Sequence, residues 1–214
     1  MNEGKILRMI EYVQDGKVCL ENFVIENCKI AELQCENIYF EKCIFRNVIF
    51  ENHFDDVSIG IEKCEFRDCR FHGNLGRSYL VLKENLFMES QFKNISMKFG
   101  SEISYMKGNG FLNCSFENVK LQSDIEFLNQ YFSGGKIENV IFESSNMTSN
   151  QFLNMQFKDV ELNAFFIDNK MHGVSFENTT LIGVMEETPQ DNNFNVFFKC
   201  DTSGFTFIDQ YARK

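Results

Sequence analysis

Residues 18–52 read VCLEN-FVIEN-CKIAE-LQCEN-IYFEK-CIFRN-VIFEN, seven successive units of five. With the middle residue of each unit called position i, the series runs Leu20, Ile25, Ile30, Cys35, Phe40, Phe45, Phe50. Two residues earlier, at i−2, stand Val18, Phe23, Cys28, Leu33, Ile38, Cys43 and Val48. All of these are apolar in a chain that is 43% apolar overall, a run with a chance of about one in 10⁵. Position i+2 reads Asn22, Asn27, Glu32, Asn37, Lys42, Asn47, Asn52. Asn tolerates left-handed backbone and bonds its own turn, so its recurrence marks a corner.

The register returns along most of the chain. Ile61, Phe66 and Phe71 continue it, then Phe87, Phe92 and Met97, then Met106, Phe111, Phe116 and Leu121. The longest run is Phe127, Phe132, Ile137, Phe142, Met147, Phe152, Phe157, Leu162, Ile167, followed after a one-residue slip by Met171, Phe176 and Leu181. A period of five matches neither the helical 3.6 nor the strand's two. It suits an all-β coil of four short sides, each placing i−2 and i inward and turning at its corner. Four such sides make a turn of about 20 residues, and turns stack at about 4.8 Å. Leu20 then lies under Phe40, Ile25 under Phe45 and Ile30 under Phe50. This accounts for 25 Phe in a chain without Trp, since such rings must stack out of water.

The units Cys43-Ile44-Phe45-Arg46-Asn47, Cys64-Glu65-Phe66-Arg67-Asp68, Cys114-Ser115-Phe116-Glu117-Asn118 and Val174-Ser175-Phe176-Glu177-Asn178 resemble those of the pentapeptide repeat family. The resemblance covers roughly residues 18–181 and implies a right-handed parallel quadrilateral β-helix. It departs from the family's common Ala-Asp/Asn-Leu form, with Cys, Val or bulky residues such as Phe23, Leu33 and Phe165 at i−2, which predicts a wider coil there. The expected organisation is one domain. Residues 1–17 form an N-terminal cap, 18–181 the solenoid, and 183–214 a C-terminal cap or dimer contact, built as a hairpin or last irregular coil. The register breaks near 53–59, 73–82, 99–104 and 122–125, where bulges or small loops are expected.

No catalytic constellation emerges. His53, His72 and His172 are far apart and lack a positioned nucleophile. Ser133-Gly134-Gly135-Lys136 lacks the spacing of a phosphate loop, and the adjacent acids Asp55-Asp56 and Glu186-Glu187 lack that of a calcium loop. The eight Cys contain no CxxC pair and read as reduced core thiols. No enzyme activity, cofactor or metal is expected. Without a signal-like start or an apolar span, a cytoplasmic place of action is expected.

The outward signal is acidic. Position i+1 reads Glu21, Glu26, Ala31, Glu36, Glu41, Arg46, Glu51, and the net charge is −10. That excludes direct binding to nucleic acid through phosphate neutralisation and suggests a negative face offered to a protein. By resemblance, some family members bind type II topoisomerases such as DNA gyrase or topoisomerase IV as DNA mimics, commonly as dimers joined through a C-terminal element. That implies loop residues Arg77, Tyr79 and Lys107 as contacts beside Glu21, Glu26, Glu36, Glu41 and Glu51. The other expectations are an immunity or effector protein that binds a toxin or host protein and, more remotely, a carbohydrate-active β-helix enzyme.

Overall fold

A computed structural model describes residues 5–8, 13–14, 16–31, 37–51, 58–99, 104–122, 125–184 and 195–209. They contain strands and no helix. Each strand pairs in parallel with the equivalent strand one turn on, apart from a short antiparallel pairing of Val13–Gln14 with Lys17–Val18. The chain is a parallel β-solenoid.

Four sides follow from the pairings. The first stacks Leu20, Phe40, Ile61, Leu82, Met106, Phe127, Met147 and Phe166. The second stacks Ile25, Phe45, Phe66, Phe87, Phe111, Phe132, Phe152, Met171 and Phe197. The third runs Ile30, Phe50, Phe71, Phe92, Phe116, Ile137, Phe157, Phe176. The fourth is described from Met97 through Leu121, Phe142, Leu162 and Leu181 to Phe207. Leu20, Ile25 and Ile30 do lie under Phe40, Phe45 and Phe50. The residue expected at the first-side position after Met147 was Ile167, but Phe166 occupies it. The slip therefore falls within the preceding unit, before residue 166 rather than after 167.

The corners explain the sequence at i+2. Among the described residues, nineteen non-glycine positions carry positive φ, between 47° and 59°, and every one lies two residues after an inward centre. Ten are Asn, the rest Asp, Ser, Lys or Glu. A side chain with a β-carbon is disfavoured there unless, like Asn, it can bond locally. The fourth corner shows none of these left-handed residues among those described, so only three sides end in the same turn.

Two interior columns are made of rings. Phe45, Phe66, Phe87, Phe111, Phe132 and Phe152 stack with centroids 4.7–4.9 Å apart and planes within 9°. Phe50, Phe71, Phe92 and Phe116 do the same at 4.6–4.7 Å. Rings from neighbouring columns meet edge to face, as Phe66 and Phe71 do at 5.5 Å. Both geometries suit the ring quadrupole. Between the columns an apolar axial cavity of about 170 Å³ remains, lined by residues such as Phe40, Phe71, Met106 and Leu121.

The second side also carries a buried polar column at i−2, formed by Asn85, Asn109, Gln130, Asn150 and Asn169. Asn85 Nδ2 donates to Asn109 Oδ1 at 3.0 Å, and Asn109 Nδ2 donates to Gln130 Oε1 at 3.0 Å. Gln130 reaches Asn150 Oδ1 through its backbone N–H at 2.8 Å, and Asn150 and Asn169 resume the side-chain chain to Asn195. Each side-chain nitrogen also donates to a carbonyl of the turn below, as Asn109 does to Leu82 at 2.9 Å. Backbone N–H groups donate to the amide oxygens above, as Asn85 does to Asn109 at 2.9 Å. Five residues at these positions would cost heavily if unpaired, but each is satisfied in the ladder.

Asn109→Leu is expected to lower the unfolding free energy by about 2–4 kcal/mol, because it strips partners from Asn85, Gln130 and the Leu82 carbonyl at once. Urea unfolding of the variant checks this, and a loss below about 1 kcal/mol would mean that the ladder contributes no more than an ordinary apolar contact.

Candidate interaction surface

Position i+1 points outward, but consecutive units lie on consecutive sides, so only every fourth unit shares a face. Glu21, Glu41 and Glu62 stand in register in successive turns on the first side, followed in the same column by Lys83 and Lys107. Glu26 belongs to the second side, in register with Arg46 and Arg67. Glu51 belongs to the third, opposite His72. Glu36 lies outside the described residues. Arg77 and Tyr79 lie within the strand Arg70–Lys83, their backbone in register with Lys98 and Ser58, and their side chains are outside the described set. The structure thus joins Glu21, Glu41 and Lys107 in one column and separates Glu26 and Glu51 from them.

The carboxylates of that column are interleaved with cations. Lys42 Nζ lies 2.7 Å from Glu41 and 3.6 Å from Glu21, while Lys63 and Lys83 each approach Glu62 to 2.9 Å. Arg46 reaches Glu26 at 2.6 Å. The third and fourth sides repeat the device with Lys93–Glu117, Lys158–Glu177 and Lys120–Glu143. Rungs at about 4.8 Å would otherwise oppose like charges. These pairs are partly exposed and screened, so each adds little stability. The signal was readable: Lys42 and Lys63 stand at i+2, beside the acids they meet.

Protonation follows the pairing. The hydrogen bond from Lys42 is the main influence holding Glu41 below the usual carboxylate range, against a smaller opposing effect of desolvation. Glu62 is lowered chiefly by Lys83 and then Lys63. Burial, then the charge of Glu41, pushes the Tyr39 hydroxyl up, and Tyr39 donates to Glu41 Oε2 at 3.3 Å. Because Glu41 and Glu62 are lowered in the folded state, their contribution to stability is complete above the ordinary carboxylate pKa. It is lost as pH falls through the lowered values.

Among the described residues nothing on the surface gathers into a reaction centre. His72 is half-buried, His172 packs against Phe198 at 5.0 Å, and His53 lies outside the described residues. Among the described residues no three His, Cys, Asp or Glu side chains converge as metal ligands. The glycine pair at 134–135 has a packing cause: Gly134 is a corner residue with φ 66°, and a β-carbon on Gly135 would collide with the Cys114 carbonyl oxygen. No described helix is long and apolar enough to cross a membrane.

A parallel β-solenoid of five-residue units with left-handed corners is an architecture consistent with a pentapeptide repeat protein. No protein-family model and no curated protein matches the chain. Among solved structures, one similar chain is a trypsin-treated variant of QnrB1, a plasmid-mediated fluoroquinolone resistance protein. It is 14% identical over 86% of this chain and 90% of that chain, with a TM-score of 0.31. Another is HetL, a pentapeptide repeat protein involved in heterocyst differentiation regulation from the cyanobacterium Nostoc sp. strain PCC 7120. It is 7% identical over 94% of this chain and 86% of that chain, with a TM-score of 0.32. The superpositions are loose, and the fold assignment rests on this chain's own strand pairings.

Lys42→Ala is expected to raise the Glu41 pKa back toward its ordinary value, because the hydrogen bond that lowers it is removed. A carboxylate-detected NMR titration reads this directly; an unmoved Glu41 would mean that the pair does not persist in solution.

Proposed function

We propose that the chain is a non-enzymatic protein-binding module acting in the cytoplasm, with the outer face of the first side as its contact surface. Its most concrete form is a DNA mimic that engages a type II topoisomerase, DNA gyrase or topoisomerase IV. The observation that carries the reading is the register of Glu21, Glu41 and Glu62 in three successive turns of a chain with net charge −10. Their lysine partners are half-exposed and held by screened contacts, so a basic groove with a stronger field can replace them. Glu26, Glu36, Arg77 and Tyr79 belong to the proposal as flanking contacts and Lys107 as the basic end of the column, while Glu51, on the third side, joins only a partner that wraps the solenoid.

A second reading draws on the same column. Its change of sign after Glu62 also suits a toxin or host protein bearing a matching pattern of charges, as an immunity or effector protein would require. A supercoiling assay with DNA gyrase, with and without a quinolone, separates the two. Inhibition or drug protection at low micromolar protein is expected for the mimic, and Glu21, Glu36 and Glu41 changed together to Lys should abolish it. No effect at large excess would discard the topoisomerase form.

A homodimer through the C-terminal segment is part of the proposal. Val196–Phe198 and Phe205–Asp209 form the last parallel rungs, and no described strand pairs beyond them. Val196, Phe198 and Ile208 are 46%, 54% and 48% exposed there. Strand edges without a described partner, beside apolar side chains, suit pairing with another chain. Light scattering should show a dimer that Phe198→Asp with Ile208→Asp converts to monomer; a monomeric parent protein would remove this part.

A further inference from the structure

The polar column of the second side does not begin with amides. In the two turns before Asn85 its places are taken by Cys43 and Cys64, both buried. Their neighbours Ile44 and Glu65 are paired in register, so the two cysteines sit one above the other in adjacent turns. Their surroundings are the same. Cys43 Sγ donates to the carbonyls of Leu20 at 3.3 Å and Glu41 at 3.4 Å, and Cys64 Sγ donates to those of Phe40 at 3.5 Å and Glu62 at 3.3 Å. The Cys43 backbone N–H donates to Cys64 Sγ at 3.3 Å, the position an amide oxygen fills in later turns. Adjacent rungs place α-carbons about 4.8 Å apart, inside the range of about 4.4–6.8 Å that a disulfide spans.

No other described cysteines share this relation. On the third side, Cys28 is separated from Cys69 by Val48, and Cys69 from Cys114 by Ser90. Cys19 is exposed on the first side, and Cys200 lies in the last turn.

We propose that Cys43 and Cys64 form a peroxide-sensitive thiol pair that closes into a disulfide and fastens one turn of the solenoid to the next. The thiolate of Cys43 attacks one oxygen of hydrogen peroxide, breaking the O–O bond and giving a sulfenic acid and, after protonation, water. Cys64 then displaces the second oxygen as water, forming the S–S bond. Two thiols are oxidised, one peroxide is reduced, and two waters leave. One sulfur must surrender its carbonyl contacts and turn toward the other. The hydrogen bond from Cys64 pulls the Cys43 thiol down, while the same contact and burial push Cys64 up. Cys69 and Cys114, without a thiol in an adjoining turn, are pushed up to about 11 by burial.

Position in the solenoid supplies access. Cys43 stacks above Phe23, whose carbonyl accepts from Ile44 N–H at 2.8 Å. Phe23 is 44% exposed, and no described strand pairs beneath Val24–Glu26. Local opening beside the exposed Phe23 gives peroxide a route to Cys43.

The test uses the reduced full chain treated with hydrogen peroxide in native buffer, then alkylated, digested and read by mass spectrometry. The expected product is a Cys43–Cys64 linked peptide as the principal intramolecular disulfide, reversed by dithiothreitol and absent from Cys64→Ser. The oxidised protein should melt roughly 5 °C higher than the reduced. The proposal is overturned if Cys43 and Cys64 remain alkylatable once exposed Cys19 is fully oxidised, or if links are scattered over Cys28, Cys69 and Cys114. The parent protein alone decides this, whatever the folding of the variant.

Discussion

Everything in this molecule is subordinate to one distance, the rise of about 4.8 Å between hydrogen-bonded parallel strands. The backbone sets it, and each side chain must find a way to repeat at that interval. Aromatic rings do so by tilting: centroids 4.7–4.9 Å apart with nearly parallel planes leave faces in contact through a lateral offset. Phe therefore recurs because an inclined ring fills one rung and touches the next. Ile or Met in the same column, as at Ile137 or Met171, ends the stack without ending the coil.

The same interval makes polar groups tolerable in the interior when they come in columns. A single buried Asn on one rung would leave donors and acceptors unmatched. Repeated from Asn85 to Asn169, each residue donates to an amide oxygen above, at Gln130 through its backbone N–H alone, and to a carbonyl below. Cys43 and Cys64 show the limit of the device, since a thiol donates to carbonyls of the turn below but offers the N–H beneath it only a weak sulfur acceptor. Charges on the outer face obey the same logic. A column of carboxylates cannot repeat at this rise without cations, and Lys42, Lys63 and Lys83 enter the gaps.

Much of this was legible because inward packing is local in sequence. Phe40, Phe45 and Phe50 announce the period, and Asn22, Asn27 and Asn47 announce the corners, without knowledge of what lies above them. What could not be read locally depends on counting turns. Glu21 and Glu26 look alike in the sequence, yet they fall on different sides, and only a four-unit count joins Glu21 to Glu41. Asn85, Asn109 and Gln130 resemble interruptions of an apolar pattern until their separations of 24 and 21 residues are recognised as single turns. Unequal turns hide such columns from any fixed period.

A solenoid of this kind separates its tasks by direction. Inward positions are committed to rings, amides and small residues by the repeat, and the axial cavity is almost wholly apolar. Outward positions are free of that commitment, and substitutions there leave the packing untouched. Because those positions also repeat at the rung spacing, the surface can present the same group at regular intervals, which an ordinary globular surface cannot do without chance alignment. A partner that recognises periodic charge therefore reads the one property that the fold supplies without extra cost. For such a partner, specificity would have to come from departures from the repeat, and on the first side the charge changes sign from Glu62 to Lys83 and Lys107 along a single column.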